Sequence, residues 1–243
     1  MEINGILKIL LVAGVGSRRK LASAIMENRV RVNGEIVTSL NHIVDINTDQ
    51  VEIDGVEVNI SPDAKTYLVL NKPIGVLSTT QDDRGRKTVI DFVPPHIKQI
   101  KLYPVGRLDM NSSGLVLLTN DGDVAYTLSH PSFEQEKEYV VKLDRVLEAR
   151  DLKQLAEGVD LDDGVTSPAR VISLKEGLAH KYSVVIHEGK KHIVRRLFAR
   201  LGYVVLALKR IRIATIELGD LDLGNTRLLG EEEIARLKQG LKK

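Results

Sequence analysis

Apolar and polar positions change their period along this chain, and the changes divide it. Residues 6–14 are a short apolar run, predicted as a helix that stops at Gly14. Ser17 is placed to cap a second helix, "RRKLASAIMEN", with Leu21, Ala24 and Ile25 on one face. The period then drops to two. "VRVNGEIV" alternates around Asn33-Gly34 and "VEIDGVEV" around Asp54-Gly55, both strong hairpin signals. Two helices and a small sheet thus occupy residues 1–60, and "SPDAK" (61–65) is expected to be a linker.

Residues 66–243 read as a larger α+β domain. "TYLVL" is a strand that stops at Asn71-Lys72-Pro73, "QDDRGRK" is a polar loop, and Pro94-Pro95 ends a short helix. "EKEYVVKL", "ARVISLKE" and "KYSVVIHE" have the pattern of strands. "EARDLKQLAEG" reads as a helix ending at Gly158, and Lys190 to Leu201 as another with a stop at Gly202. No internal repeat or low-complexity segment is visible.

Composition narrows the chemistry. A hydrophobic fraction of 43% in 243 residues fills a core. With no Cys in the chain, disulfides, thiolate zinc sites and Cys nucleophiles are excluded. The start lacks a basic n-region, and the apolar runs fall short of the roughly 18 residues of a membrane span, so a cytoplasmic protein is expected. The net charge of +2 is uneven: from His187 to Arg212 eight Lys or Arg stand against the single Glu188, a local net of +7. A smaller cluster, Arg18, Arg19, Lys20, Arg29 and Arg31, opens and follows the second predicted helix. Two such patches point to a polyanion, with backbone amides at the helix start adding to the pull on phosphate. The alternative is solvated helix faces.

"GRLDMNSSGLVLLTNDG" (106–122) combines a charged pair, Arg107 and Asp109, with a small-residue turn and then an apolar strand. A loop held by a buried strand is how a reactive side chain is presented, and a carboxylate there needs a cationic partner to stay ionised. The alternative is an Asp that only bonds turn amides. On the helix from Lys190, the apolar stripe is Ile193, Val194, Leu197, Phe198 and Leu201. Successive residues diverge by about 100°. Arg195 therefore shares one flank with Lys191, and Arg196 the other with His192 and Arg200. One flank can face a cleft while the other meets a nucleic-acid backbone, or both can snorkel from a core helix. The six His show no metal-ligand spacing.

This stretch resembles the core motif of the RsuA/RluB-type ribosomal RNA pseudouridine synthases. "NKPIGV" (71–76) is similar to their first motif, "KEY" (137–139) to the strand carrying the active-site Tyr, and "EGKKHIVRRLF" (188–198) to the motif supplying a basic partner. The first 60 residues, with "GSRRKLASAI" and "VRVNG", resemble the small S4-like RNA-binding domain. The sequence departs from the motif at Asn111-Ser112, where Asp-Thr is usual, and at Ile193, where Gln is common.

The resemblance implies an α+β chain: the small helix-helix-hairpin domain, then a catalytic domain with a mixed, mainly antiparallel sheet and flanking helices. It implies Asp109 as the essential carboxylate, acting on the ribose by attack or by deprotonation. Arg195 is implied as its cationic partner, and Tyr139 as packing on the target base or else serving as a core aromatic. Arg107, with Leu108 beside it, would fill the space of a flipped base. Lys72 and Pro73 would shape the cleft wall or simply end a strand. Lys190, Lys191, His192 and Arg196, with the N-terminal cluster, would contact RNA. Isomerisation oxidises nothing and donates no group, so neither cofactor nor metal is expected. The expected partner is ribosomal RNA or an assembly intermediate, bound by a monomer away from membranes. "MNSSGLVLLTNDGDVAYTLSHPS" and "RIATIELGDLDLGNTRLL" favour the large-subunit, 23S branch, while "EGKKH" leans to the small-subunit, 16S branch. A transfer-RNA enzyme and a non-catalytic assembly factor are the other readings.

Overall fold

Both hairpins expected from the sequence turn on paired positive φ angles, 51° and 83° at Asn33-Gly34 and 53° and 76° at Asp54-Gly55. That geometry matches the right-handed twist of the flanking strands, and Asn, Asp and Gly adopt it at low cost. The structure is a computed structural model and describes residues 4–13, 15–46, 48–58, 60, 65–98, 100–174 and 180–241. It divides into two compact units, Met1–Thr66 with Asn120–Gly122, and Tyr67–Thr119 with Asp123–Lys243. Most of the expected linker, residues 61–64, and the expected helix stop Gly14 lie outside the described residues.

In the first unit, β1 (Asn4–Gly5) pairs with β4 (Ile43–Val44), and α1 (Ile6–Val12) leads to α2 (Arg18–Met26). The Ser17 hydroxyl caps α2 by accepting from the Lys20 amide at 3.4 Å. The helix ends two residues before the expected Asn28, whose φ of 61° is incompatible with a right-handed turn. Strands β2 (Val30–Val32), β3 (Glu35–Ile36), β5 (Val51–Ile53) and β6 (Val56–Val58) form one sheet in the order β3-β2-β5-β6. Ile6, Leu10, Ile25, Val30 and Val51 make a dry core between the helices and this sheet.

In the second unit the strands are β7 (Tyr67–Lys72), β8 (Tyr103–Pro104), β9 (Ser113–Thr119), β10 (Lys137–Leu143), β13 (Arg170–Ser173), β14 (Lys181–Ile186), β15 (Val205–Ile213), β16 (Ile216–Glu217) and β17 (Thr226–Leu228). A two-residue pair, β11 (Asp160–Leu161) and β12 (Gly164–Val165), stands apart. The main sheet runs β13-β14-β10-β15-β9-β7-β17, with β8 on β9 and β16 on β15. Every pairing in it is antiparallel except β15 with β9. The mixed, mainly antiparallel sheet expected above is therefore the observed one.

The continuous apolar run 115–118 makes sense here because β9 is buried on both faces. Val116 and Leu118, with Leu68 and Leu70 of β7, face a core closed by Leu155 of α4 (Ala149–Glu157) and Leu197 and Phe198 of α5 (Ile193–Arg200). Leu115 and Leu117, with Tyr67 and Val69, face a second core closed by Leu128 of α3 (Gly122–Ser129) and Leu237 of α6 (Glu231–Gly240). Each such side chain contributes about 1.5–3 kcal/mol by leaving water. Sequence periodicity had not marked α3 or α6, and the helix expected before Pro94 is a single 3₁₀ turn, Val89–Phe92. Gly114 allows the parallel contact. Its φ is 108°, and a Cβ there would lie 2.1 Å from the Arg210 carbonyl oxygen.

Candidate active site

Between β8 and β9 the chain makes the loop 105–112, and four carbonyls of that loop are held from outside it. The Arg107 carbonyl accepts from Arg210 Nη1 at 3.4 Å and that of Leu108 from Ser78 Oγ at 2.9 Å. The Met110 carbonyl accepts from the Gly75 amide at 2.8 Å, and the Asn111 carbonyl from Arg195 Nη2 at 2.9 Å. The Ser112 amide closes the turn onto the Asp109 carbonyl at 3.0 Å. Such a loop has lost its freedom before any ligand arrives. It presents the Asp109 carboxylate with 26% of its side chain exposed.

Asp109 stands in the wall of a pocket shared by Arg107, Leu108, Tyr139, Lys190, Lys191 and His192. The strand β10 supplies Tyr139, 6% exposed, and the segment before α5 supplies the two lysines and His192. His192 is not helical. Its φ of 55° makes the helix start at Ile193, three residues later than the pattern from Lys190 predicts, and its Nε2 sits 3.4 Å from Asp109 Oδ1. Arg107 is exposed at the pocket and has no ion-pair or hydrogen-bond partner for its guanidinium among the described residues.

The expected Arg195–Asp109 pair is not what forms. The Arg195 guanidinium bridges two backbone carbonyls, Val205 at 2.9 Å from Nη1 and Asn111 at 2.9 Å from Nη2. It braces the loop that carries Asp109 and is not in the pocket lining. Arg196 does lie on the other flank, as helical spacing requires, but there it meets a carboxylate, with Nη1 3.0 Å from Asp163. That contact holds the Asp163 carboxyl below its ordinary pKa.

Lys72 and Pro73 are likewise outside the lining. Lys72 is fully buried, its Nζ donating to the carbonyls of Pro73 and Val76 at 2.9 Å each. Burial first, then repulsion by Arg210, lowers its pKa to about 8, against the attraction of Asp109. Among the N-terminal cations, Arg29 is clamped by Glu27 at 3.0 Å and Asp54 at 2.8 Å, and Arg31 donates to the Gly34 carbonyl. Arg18, Arg19 and Lys20 remain exposed, with no ion pair among the described residues.

Two pocket residues were not singled out from the sequence. Arg210 is 3% exposed, donates from Nε to the Leu115 carbonyl at 2.8 Å and leaves Nη2 without a partner. Lys137 lines the pocket, and burial, then Arg210, lowers its pKa to about 8. Strand alternation carried the signal for both: Arg210 follows Leu208 by two, and Lys137 precedes Tyr139 by two, so each shares a face with a buried neighbour.

A fixed carboxylate beside a buried tyrosine, in a pocket rich in cations, suits an anionic ligand. Comparison with known proteins sharpens this. A family model described as RNA pseudouridylate synthase matches residues 66–200, and one described as S4 domain matches residues 5–51. "Ribosomal large subunit pseudouridine synthase B" of Bacillus subtilis is 42% identical over 95% of this chain and 94% of its own length. The protein of the same name from Pseudomonas aeruginosa is 38% identical over 97% of this chain and 62% of its own. A crystal structure of a pseudouridylate synthase superposes with a TM-score of 0.69 at 30% identity, covering 96% of this chain and 99% of that one. The chain belongs to the RNA pseudouridine synthase family, isomerases that convert uridine in RNA to pseudouridine.

Proposed function

We propose that this enzyme isomerises a specific uridine of ribosomal RNA of the large subunit, with Asp109 as its essential carboxylate. The observation that carries the reading is the carbonyl-by-carbonyl anchoring of the loop bearing Asp109. It fixes a partly exposed carboxylate in a pocket wall. The substrate follows from the relatives named as large-subunit enzymes. It implies work in the cytoplasm, where ribosomal RNA is made and assembled in bacteria.

In the mechanism the target uridine leaves the RNA stack and enters the pocket. Arg107, exposed and unpaired, fills or props the vacated space. Leu108 and Tyr139 flank the base. Asp109 acts on the ribose, by adding to C1′ or by taking a proton from C2′ and later returning it. Arg195 acts through the loop as a positioning residue. Lys190, Lys191 and His192 meet the RNA backbone at the rim.

Asp109→Asn keeps shape and removes charge, so it abolishes turnover while fold and RNA affinity persist. Isomerisation replaces the hydrogen on C5, so tritium released from C5-labelled 23S transcript reports it. Release by the variant at the wild-type rate would refute the assignment. Mapping pseudouridines in ribosomal RNA from cells lacking the gene identifies the subunit and the position.

A further inference from the structure

The pocket carries more positive charge than its carboxylates neutralise. Lys137, Arg210, Arg107, Lys190 and Lys191 line it as five cations, against the carboxylates of Asp109 and Glu188. Glu188 is engaged by Lys190 at 3.3 Å, and Asp109 faces His192 at 3.4 Å. Neither is paired with Lys137, which has no ion-pair partner among the described residues. Its Nζ makes one described hydrogen bond, to the Gln135 carbonyl at 2.9 Å, and an ammonium has three donors. Opposite Lys137 in the sheet stand only apolar residues, Ile186 of β14 and Ile213 of β15. Arg210, fully buried and with Nη2 unpartnered among the described residues, adds a second cation beside half-buried Lys137. Holding two such cations together without a counter-ion is unfavourable, and an anion formed beside them offsets that cost.

The reaction forms one. We propose that Lys137 is a catalytic cation for the departing base: its ammonium stabilises the uracil anion, with Arg210 as fixed charge behind it. This rests on the assignment of Asp109 to the ribose side. When the N1–C1′ bond breaks, its electron pair passes to uracil and spreads over N1, O2 and O4. Lys137 donates a hydrogen bond to that charge and keeps its proton. The base turns and C5 bonds to C1′, as Asp109 either leaves C1′ or returns its proton to C2′. C5 then loses a proton to solvent and N1 takes one up, so nothing is gained or lost overall. Neutral uracil draws less on this cation than the anion does, so the interaction grows toward the transition state and acts on kcat.

The test uses full-length enzyme and 23S transcript carrying tritium at uridine C5. Lys137→Met should lower kcat by about a hundredfold to a thousandfold, the cost of losing one donor to a developing anion. Its RNA dissociation constant, measured by filter binding, should stay near that of wild type. The wild-type alkaline limb should fall as pH rises through about 8, where the ammonium is lost. Lys137→Arg holds its charge to higher pH, so it should restore part of kcat and move that limb upward. This variant also serves if the Met variant fails to fold. An unchanged kcat in Lys137→Met, lost affinity with kcat intact, or a limb unmoved in Lys137→Arg would each overturn the proposal. If wild type releases no tritium from 23S transcript but does so from 16S, the substrate reading fails and the same comparison of variants proceeds on 16S.

Discussion

Arg195 and Arg196 are neighbours in sequence and do unrelated things. One ties the Asn111 carbonyl of the loop bearing Asp109 to the Val205 carbonyl of β15, and the other ties α5 to Asp163. Arg195→Met removes both braces, and displacing a reacting group by about 1 Å costs on the order of a hundredfold in rate. We expect kcat for tritium release to fall by about that much, with RNA affinity preserved. Arg195→Lys should rescue only part, because one ammonium does not span both carbonyls as the guanidinium fork does. Arg196→Met should leave kcat close to wild type. Equal losses in Arg195→Met and Arg196→Met would show that the brace is unimportant. The divergence of the two arginines was legible from helical spacing. Their partners were not, because a pattern of residue types carries no record of which carbonyl a guanidinium will reach.

At the scale of elements, the parallel contact of β9 with β15 depends on Gly114. Gly114→Ala meets both a positive φ and the Arg210 backbone. The strain and the forced separation of strands together cost about 3 kcal/mol or more, readable as a lowered urea midpoint, and a midpoint equal to wild type would contradict the close approach. Elements with a strict period, such as the two hairpins and β9, were legible because turn chemistry and alternation are local. The true start of α5 was not. Residues 190–192 contain no helix breaker, yet His192 takes a left-handed conformation that sets its ring against Asp109. Helices α3 and α6 were missed for a related reason. Both have a weaker apolar stripe than α4 and α5, and the sheet face they cover supplies their stability more than their own periodicity does.

For the whole molecule, charge read from sequence overstates what is free to meet RNA. Of the eight cations between 187 and 212, Arg195, Arg196, Arg210 and Arg212 are committed to carbonyls or carboxylates inside the fold. The N-terminal cluster divides in the same way. Arg18, Arg19 and Lys20 have no ion pair among the described residues, while Arg29 is doubly paired. Each phosphate contact contributes about 0.7 to 0.9 to the slope of log affinity against log salt. Replacing Arg18, Arg19 and Lys20 together by Gln in the full chain should flatten that slope by roughly 2 to 3, and Arg29→Gln should leave it nearly unchanged. Binding measured at several salt concentrations decides this, and an unaltered slope in the triple variant would remove the cluster from the RNA interface.

The order of strands also sets a schedule. β15 lies between β10 and β9, yet the ribosome delivers it after both, and Arg210 on it holds the carbonyls of Arg107 and Leu115. A nascent chain that has exposed Asp109 therefore lacks the Arg210 contacts to the carbonyls around that loop until about a hundred further residues have emerged, since the distance from 109 to 210 is that long. The last central strand to arrive completes the anchoring of the loop that carries Asp109.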